Sequence, residues 1–139
     1  MSTVSVNGVE IFYQEKGEGT PLILLHEFAD DYRSWDSLAQ KLSEDYRVIS
    51  LNNRGYPPSG VPQKQDQYSQ EILVEDLYGF MNEMSIEKAH IGGLSMGGGT
   101  TLVFGLKHPD RTLSMIIAGA GSGSNQNDGF IEMIEFWLS

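Results

Sequence analysis

Cysteine is absent from the 139 residues, so neither a disulfide framework nor a thiolate zinc site can form, and a cytoplasmic protein is expected. Basic residues are scarce too: nine Lys and Arg stand against nineteen Asp and Glu, giving a formal charge of -10 and a pI near 4.5. A phosphate-lined surface would be repelled by that field, which argues against nucleic acid and membrane partners and leaves a small or neutral ligand. No apolar run approaches the ~20 residues that cross a bilayer. The opening stretch, MSTVSVNGVEIFYQEKGEGTP, has neither a basic start nor an apolar core, so no secretory leader is expected.

What the chain does have is a regular alternation of short apolar runs and helical patterns. Val4 to Val6 and Val9 to Gln14 flank Asn7-Gly8, the strongest two-residue hairpin signal. Pro21 to Leu25 and Arg47 to Leu51 are continuous apolar runs, expected as parallel strands covered on both faces. Between them, Trp35, Leu38, Ala39 and Leu42 recur at helical spacing, with Asp31 or Ser34 available as a cap. Asn52 to Gln67 is dense in Pro, Gly and Asn and reads as an ordered surface loop, with Arg54 tying it down. Ser69 to Met84 carries Ile72, Leu73, Leu77, Phe80, Met81 and Met84 on one helical face, with Glu75 and Asp76 expected on the exposed side. A strand over Lys88 to Gly92, a helix over Met96 to Lys107 and a strand over Thr112 to Ala118 complete the pattern. It predicts one α/β domain over 1–139, with a mostly parallel sheet of about six strands and helices on both faces.

One serine stands out in the run HIGGLSMGGGT. Ser95 lies in Gly93-Leu94-Ser95-Met96-Gly97, G-x-S-x-G, between a strand and a helix. A nucleophile elbow needs that order: a strand, a turn too tight for side chains two residues either side of the serine, and a helix N-terminus facing the developing oxyanion. A phosphate loop would need Lys before the Ser or Thr, and here Gly99 precedes Thr100. A dinucleotide fingerprint would need glycines at i, i+2 and i+5, a triple that does not occur. The rival for Ser95 is an ordinary Gly-rich turn without chemistry.

Four stretches, PLILLHEFADDYRSW, VISLNNRGYPPSG, IEKAHIGGLSMGG and KHPDRTLSMIIAGA, together resemble the α/β-hydrolase family, in its esterase, meta-cleavage-product hydrolase and epoxide hydrolase-like group. The resemblance implies that Ser95 is the nucleophile. It also implies that the main-chain N–H groups of Phe28 and Met96 form the oxyanion hole, with no metal and no cofactor. Two such preorganised donors supply several kcal/mol of barrier lowering in acyl transfer. The family triad continues with an acid and a histidine after the seventh and eighth strands, beyond the six read here, so the chain looks like a truncated or minimal member. Glu27 stands where the pattern has Gly, Leu94 where it has His and Asn52 where it has Asp.

The base is therefore open. His26 could approach the elbow or simply hydrogen-bond the loop backbone. His108 lies a helix length from Ser95, roughly 20 Å, and could act only from a neighbouring subunit. His90 reads as a packed core histidine, and Glu27, Asp30 and Asp31 as a solvated helix start. TLSMIIAG should be an edge strand in need of cover, and the apolar stretch 129–139 is expected to be a helix for homo-oligomerisation. The function expected is a weak, promiscuous serine esterase acting on small carboxylic esters and dependent on oligomerisation. The alternative is a catalytically inactive oligomeric or small-molecule-binding remnant of the same fold.

Overall fold

The computed structural model describes residues 2–121. Strands β1 (Ser2–Val6) and β2 (Val9–Lys16) form the expected hairpin. Asn7 and Gly8 both take positive φ, 50° and 78°, as a type I′ turn requires, and Val6 faces Val9 across it. Then come β3 (Pro21–Leu25), α1 (Asp36–Leu42), β4 (Arg47–Leu51), α2 (Gln70–Glu83), β5 (Ala89–Leu94), α3 (Met96–Lys107) and β6 (Thr112–Ala118).

Capping explains the helix starts. Asp31 accepts the Arg33 N–H at 2.9 Å, and the Ser34 hydroxyl donates to the Asp31 carbonyl. These bonds wind Tyr32–Trp35 into a 3-10 turn, so the α-helix begins at Asp36, one residue after the first apolar position of the pattern, Trp35. Ser69 caps α2 by accepting the Ile72 N–H at 3.1 Å.

The sheet order is β1-β2-β4-β3-β5-β6, with β1 and β2 antiparallel and the other four strands parallel. From β3 the chain crosses to β4 on one side and then to β5 on the other. That reversal leaves a crevice at the C-terminal ends of β3 and β5, where open α/β sheets bind ligands.

The period of two in β3 and β4 feeds two cores. Ile23, Leu25, Ile49 and Leu51 pack beneath α2 and α3 with Leu77, Phe80, Met81 and Phe104. Leu22, Leu24 and Val48 face the other way, against Ala39, Trp35 and Leu42 of the α1 side. Each fully buried Leu or Ile contributes about 1.5–3 kcal/mol, so these strands anchor the crevice. Among the described residues β6 lies at the sheet edge, as expected, with Leu113, Met115, Ile116 and Ile117 38–55% exposed. The stretch 129–139, expected as an association helix, lies outside the described residues.

One expectation is overturned. Glu75 is half-exposed and pairs with Lys107, but its neighbour Asp76 is 3% exposed and forms an ion pair with Arg54. Asp76 sits four residues before Phe80 and one before Leu77, inside the apolar stripe. An acid in such a stripe requires a buried partner.

Candidate active site

Ser95 occupies the turn between β5 and α3 with φ 52° and ψ -111°, a left-handed backbone that non-glycine residues rarely adopt. Its N–H donates to the Ala118 carbonyl at 2.9 Å and its carbonyl accepts the Gly99 N–H at 3.0 Å, so the strained residue is held from both sides. The side chain is exposed and does not cap α3.

The flanking glycines permit the turn. A Cβ on Gly93 would collide with the Gly97 carbonyl, and one on Gly97 would collide with the Leu25 carbonyl and lie 2.8 Å from that of His26. The first turn of α3 therefore rests directly on the end of β3 and the start of the 26–32 loop. An exposed hydroxyl thus stands at a helix N-terminus, where unpaired N–H groups and the helix dipole favour negative charge.

His26 is fully buried at the head of that loop. Its Nδ1–H donates to the Glu27 carbonyl at 2.8 Å and its Nε2 accepts the Asn53 N–H at 3.1 Å, so the ring is neutral with both nitrogens engaged. Burial holds its pKa below the usual 6.5, against the upward pull of the Glu27 carbonyl and the carboxylates of Asp31, Asp30 and Glu27. Of the two roles open to His26, the structure gives it the backbone one.

The other two histidines are also occupied. His90 Nδ1 lies 2.7 Å from the Ser114 Oγ, with its ring edge-on to Tyr46. His108 ends α3, stacked on Tyr78 at 4.4 Å and against Phe104, with Nε2 buried and without a hydrogen-bond partner. Its ring is packed against α2 and α3 of its own chain.

Phe28 projects into solvent, 74% exposed. Its carbonyl accepts a 2.8 Å hydrogen bond from the Tyr56 hydroxyl, which also lies 3.9 Å from the Met96 Sδ. The Tyr56 ring meets His26 edge-on at 4.6 Å, and burial raises its phenol pKa above the usual 10.0, keeping the hydroxyl a donor. Tyr56 thus touches both residues expected to carry the oxyanion donors. Sequence reading missed it, treating 52–67 as a surface loop; the signal available was an aromatic directly after Arg54-Gly55.

Asn52 is fully buried: its Oδ1 accepts the Tyr32 N–H at 3.1 Å and its Nδ2 donates to the Tyr56 carbonyl at 2.6 Å. Arg54 fixes the same loop, donating from Nε and Nη2 to Asp76 at 2.6 and 2.8 Å and from Nη1 to the Gln67 carbonyl. Beside these residues opens a largely apolar cavity of about 310 Å³, lined by Phe28, Tyr56, Tyr68, Gln70, Leu73 and Met96 among others. The acidic cluster is surface structure, since Asp31 pairs with Arg33, whose guanidinium lowers its pKa, and Asp30 accepts the Asp31 N–H. Among the described residues no three His, Asp or Glu side chains converge to hold a metal, and no helix is long and apolar enough to cross a membrane.

A family model described as alpha/beta hydrolase fold matches residues 20–139. The chain is 33% identical over 115 residues to 2-hydroxy-6-oxo-6-phenylhexa-2,4-dienoate hydrolase of Comamonas testosteroni, covering 80% of this chain and 40% of that protein. It is 27% identical over 124 residues to epoxide hydrolase 3 of Xenopus tropicalis, covering 88% of this chain and 34% of that one. The crystal structure of the enol-lactonase from Burkholderia xenovorans LB400 superposes with a TM-score of 0.80 at 31% identity, covering 86% of this chain and 46% of the other. The chain spans less than half the length of each of these relatives.

Proposed function

The chain belongs to the α/β-hydrolase fold family, and on that premise we propose that it is a serine hydrolase of small carboxylic esters. In this reading the Ser95 hydroxyl attacks the acyl carbonyl, and the main-chain N–H groups of Phe28 and Met96 hold the oxyanion. The observation that carries it is the exposed, positive-φ serine at the strand-to-helix turn. Strain of this kind persists where the surrounding structure over-determines it, and it aims a side chain that a relaxed turn would not.

Ester cleavage suits a serine better than epoxide opening does. A serine that opened an epoxide would be left as an ether, which water does not cleave, whereas an acyl-serine is itself an ester and hydrolyses. A lactone is a cyclic ester, so the enol-lactonase is a relative whose named substrate class agrees with this choice. The apolar cavity of about 310 Å³ beside Met96 suits a short acyl or single-ring group.

No histidine among His26, His90 and His108 serves as base in this reading, since each is held elsewhere. The 139 residues by themselves are proposed to be weakly active, since an oxyanion hole and binding without a base still give roughly 10³–10⁴-fold over water. The same three engaged histidines favour the second reading, a non-catalytic small-molecule-binding protein that keeps the elbow for folding.

Intact-mass labelling with a fluorophosphonate, run beside a p-nitrophenyl acetate assay, separates the two. One adduct on the wild-type chain, with adduct and turnover both lost in Ser95→Ala, is the expected result. A chain that does not label, or an ester rate that survives the alanine, overturns the hydrolase reading in favour of the second.

A further inference from the structure

The loop that carries Phe28 has little of its own to hold it. Phe28 is the most exposed large apolar side chain among the described residues, and the loop's own short bonds, His26 Nδ1–H to the Glu27 carbonyl and Asp31 N–H to Asp30 Oδ1, join only adjacent residues, while the bond across its turn, Asp30 N–H to the Glu27 carbonyl, is long at 3.4 Å. Long-range hydrogen bonds to the loop come from residues 52–56, and they are spaced along it. The Asn53 N–H donates to His26 at the loop's start, the Tyr56 hydroxyl donates to the Phe28 carbonyl at its crown, and the Asn52 Oδ1 accepts the Tyr32 N–H at its end.

We propose that residues 52–56 form a three-point clamp on the 26–32 loop and that Tyr56 is its positioning residue, setting where the Phe28 N–H stands relative to that of Met96. The proposal rests on the serine-hydrolase reading for its catalytic meaning and on the hydrogen bonds alone for its structural one. Tyr56 is suited to the task because it reaches both arms at once, the Phe28 carbonyl by its hydroxyl and the Met96 thioether beside it. It is itself fixed: its N–H donates to the Asn53 carbonyl at 3.2 Å, and its carbonyl accepts from the Asn52 Nδ2 at 2.6 Å and the Ser59 N–H at 2.9 Å. An aspartate at 52 would keep the acceptor for the Tyr32 N–H but lose the donor to Tyr56. The amide thus joins both ends of the clamp through one buried side chain.

The test uses the intact chain and two variants, Tyr56→Phe, which removes only the hydroxyl, and Asn52→Asp, which replaces the amide donor by a carboxylate oxygen at the same buried position. Amide NMR signals of Phe28 and Met96 report the clamp, and fluorophosphonate labelling with p-nitrophenyl acetate kinetics reports its consequence. Displaced Phe28 and Met96 signals in Tyr56→Phe, with a roughly tenfold lower kcat and labelling rate at unchanged KM, support the proposal. Asn52→Asp should move the same signals in the same direction. Unmoved signals overturn the clamp, whether or not the chain labels, and moved signals with an unchanged kcat overturn the positioning role. A wild-type chain that never labels defeats the hydrolase reading, and the clamp is then judged by the amide signals alone.

Discussion

The two segments that meet at the site are held in different ways. The elbow around Ser95 is shaped mainly by its own sequence neighbourhood: glycines at 93 and 97 let strand, turn and helix close on one another, helix α3 continues from the next residue, and the Ala118 carbonyl adds one distant hydrogen bond. The 26–32 loop borrows its shape from 52–56 through bonds spanning 20 to 28 residues of chain. A donor built into a helix terminus arrives with the helix, whereas a donor on a loop is only as well placed as the loop's partners. Preorganisation at this site therefore has one local half and one distant half.

The hardest blow to the local half is Gly93→Ala. The added methyl would meet the Gly97 carbonyl and come within 2.7 Å of the Gly98 nitrogen, backbone that cannot rotate away. A loss of about 4 kcal/mol is expected, at the upper end for overpacking because the turn itself must open. Gly99→Ala is the control, since its methyl meets only the end of the Gln70 side chain and the alanine favours helix by up to about 1 kcal/mol. Urea midpoints for the two variants should move far apart; equal midpoints would mean that the elbow is not packed as described.

The distant half should yield first to Asp76→Ala, with an expected loss of about 3 kcal/mol, because the Arg54 guanidinium would remain buried without its carboxylate. The comparison sharpens in where the damage goes. With Arg54 released, residues 52–56 loosen, and the amide signals of 26–32 should shift while those of Ser95, Gly97 and Gly98 stay in place. Signals that move equally in both segments would dissolve the distinction between them.

The same division decides what could be read from the residues in order. Asn7-Gly8, the runs Leu22 to Leu25 and Val48 to Leu51, and the Gly-flanked Ser95 carry their structure within a few positions, so hairpin, buried strands and elbow were all legible. The site's second arm was not. Nothing adjacent to Tyr56 announces that its hydroxyl meets Phe28, and nothing adjacent to Arg54 names Asp76 as its partner; such pairings exist only once the sheet has brought β3, β4 and α2 together. Asp76 alone left a trace, as a carboxylate inside the apolar stripe of α2, and reading it as exposed missed the tie that anchors the 52–68 loop.

The smallest expected effect is a dependence on pH at the root of the loop. In the folded chain burial holds the His26 pKa below 6.5, while in the unfolded chain the ring titrates near that ordinary value. As pH falls from neutrality through 6.5 towards the lowered folded value, the unfolded state takes up a proton that the folded state refuses. Stability is therefore full above 6.5 and declines below it, by at most about 1.4 kcal/mol per pH unit for one such group. Below the folded value both states are protonated and the decline stops, with the Asn53 N–H facing a ring nitrogen that no longer accepts. Urea unfolding between pH 7.5 and 5 should show this slope in the wild-type chain and lose part of it in His26→Gln, whose carboxamide can accept the Asn53 N–H without titrating. An unchanged slope in that variant would move the pH sensitivity away from His26 to another group.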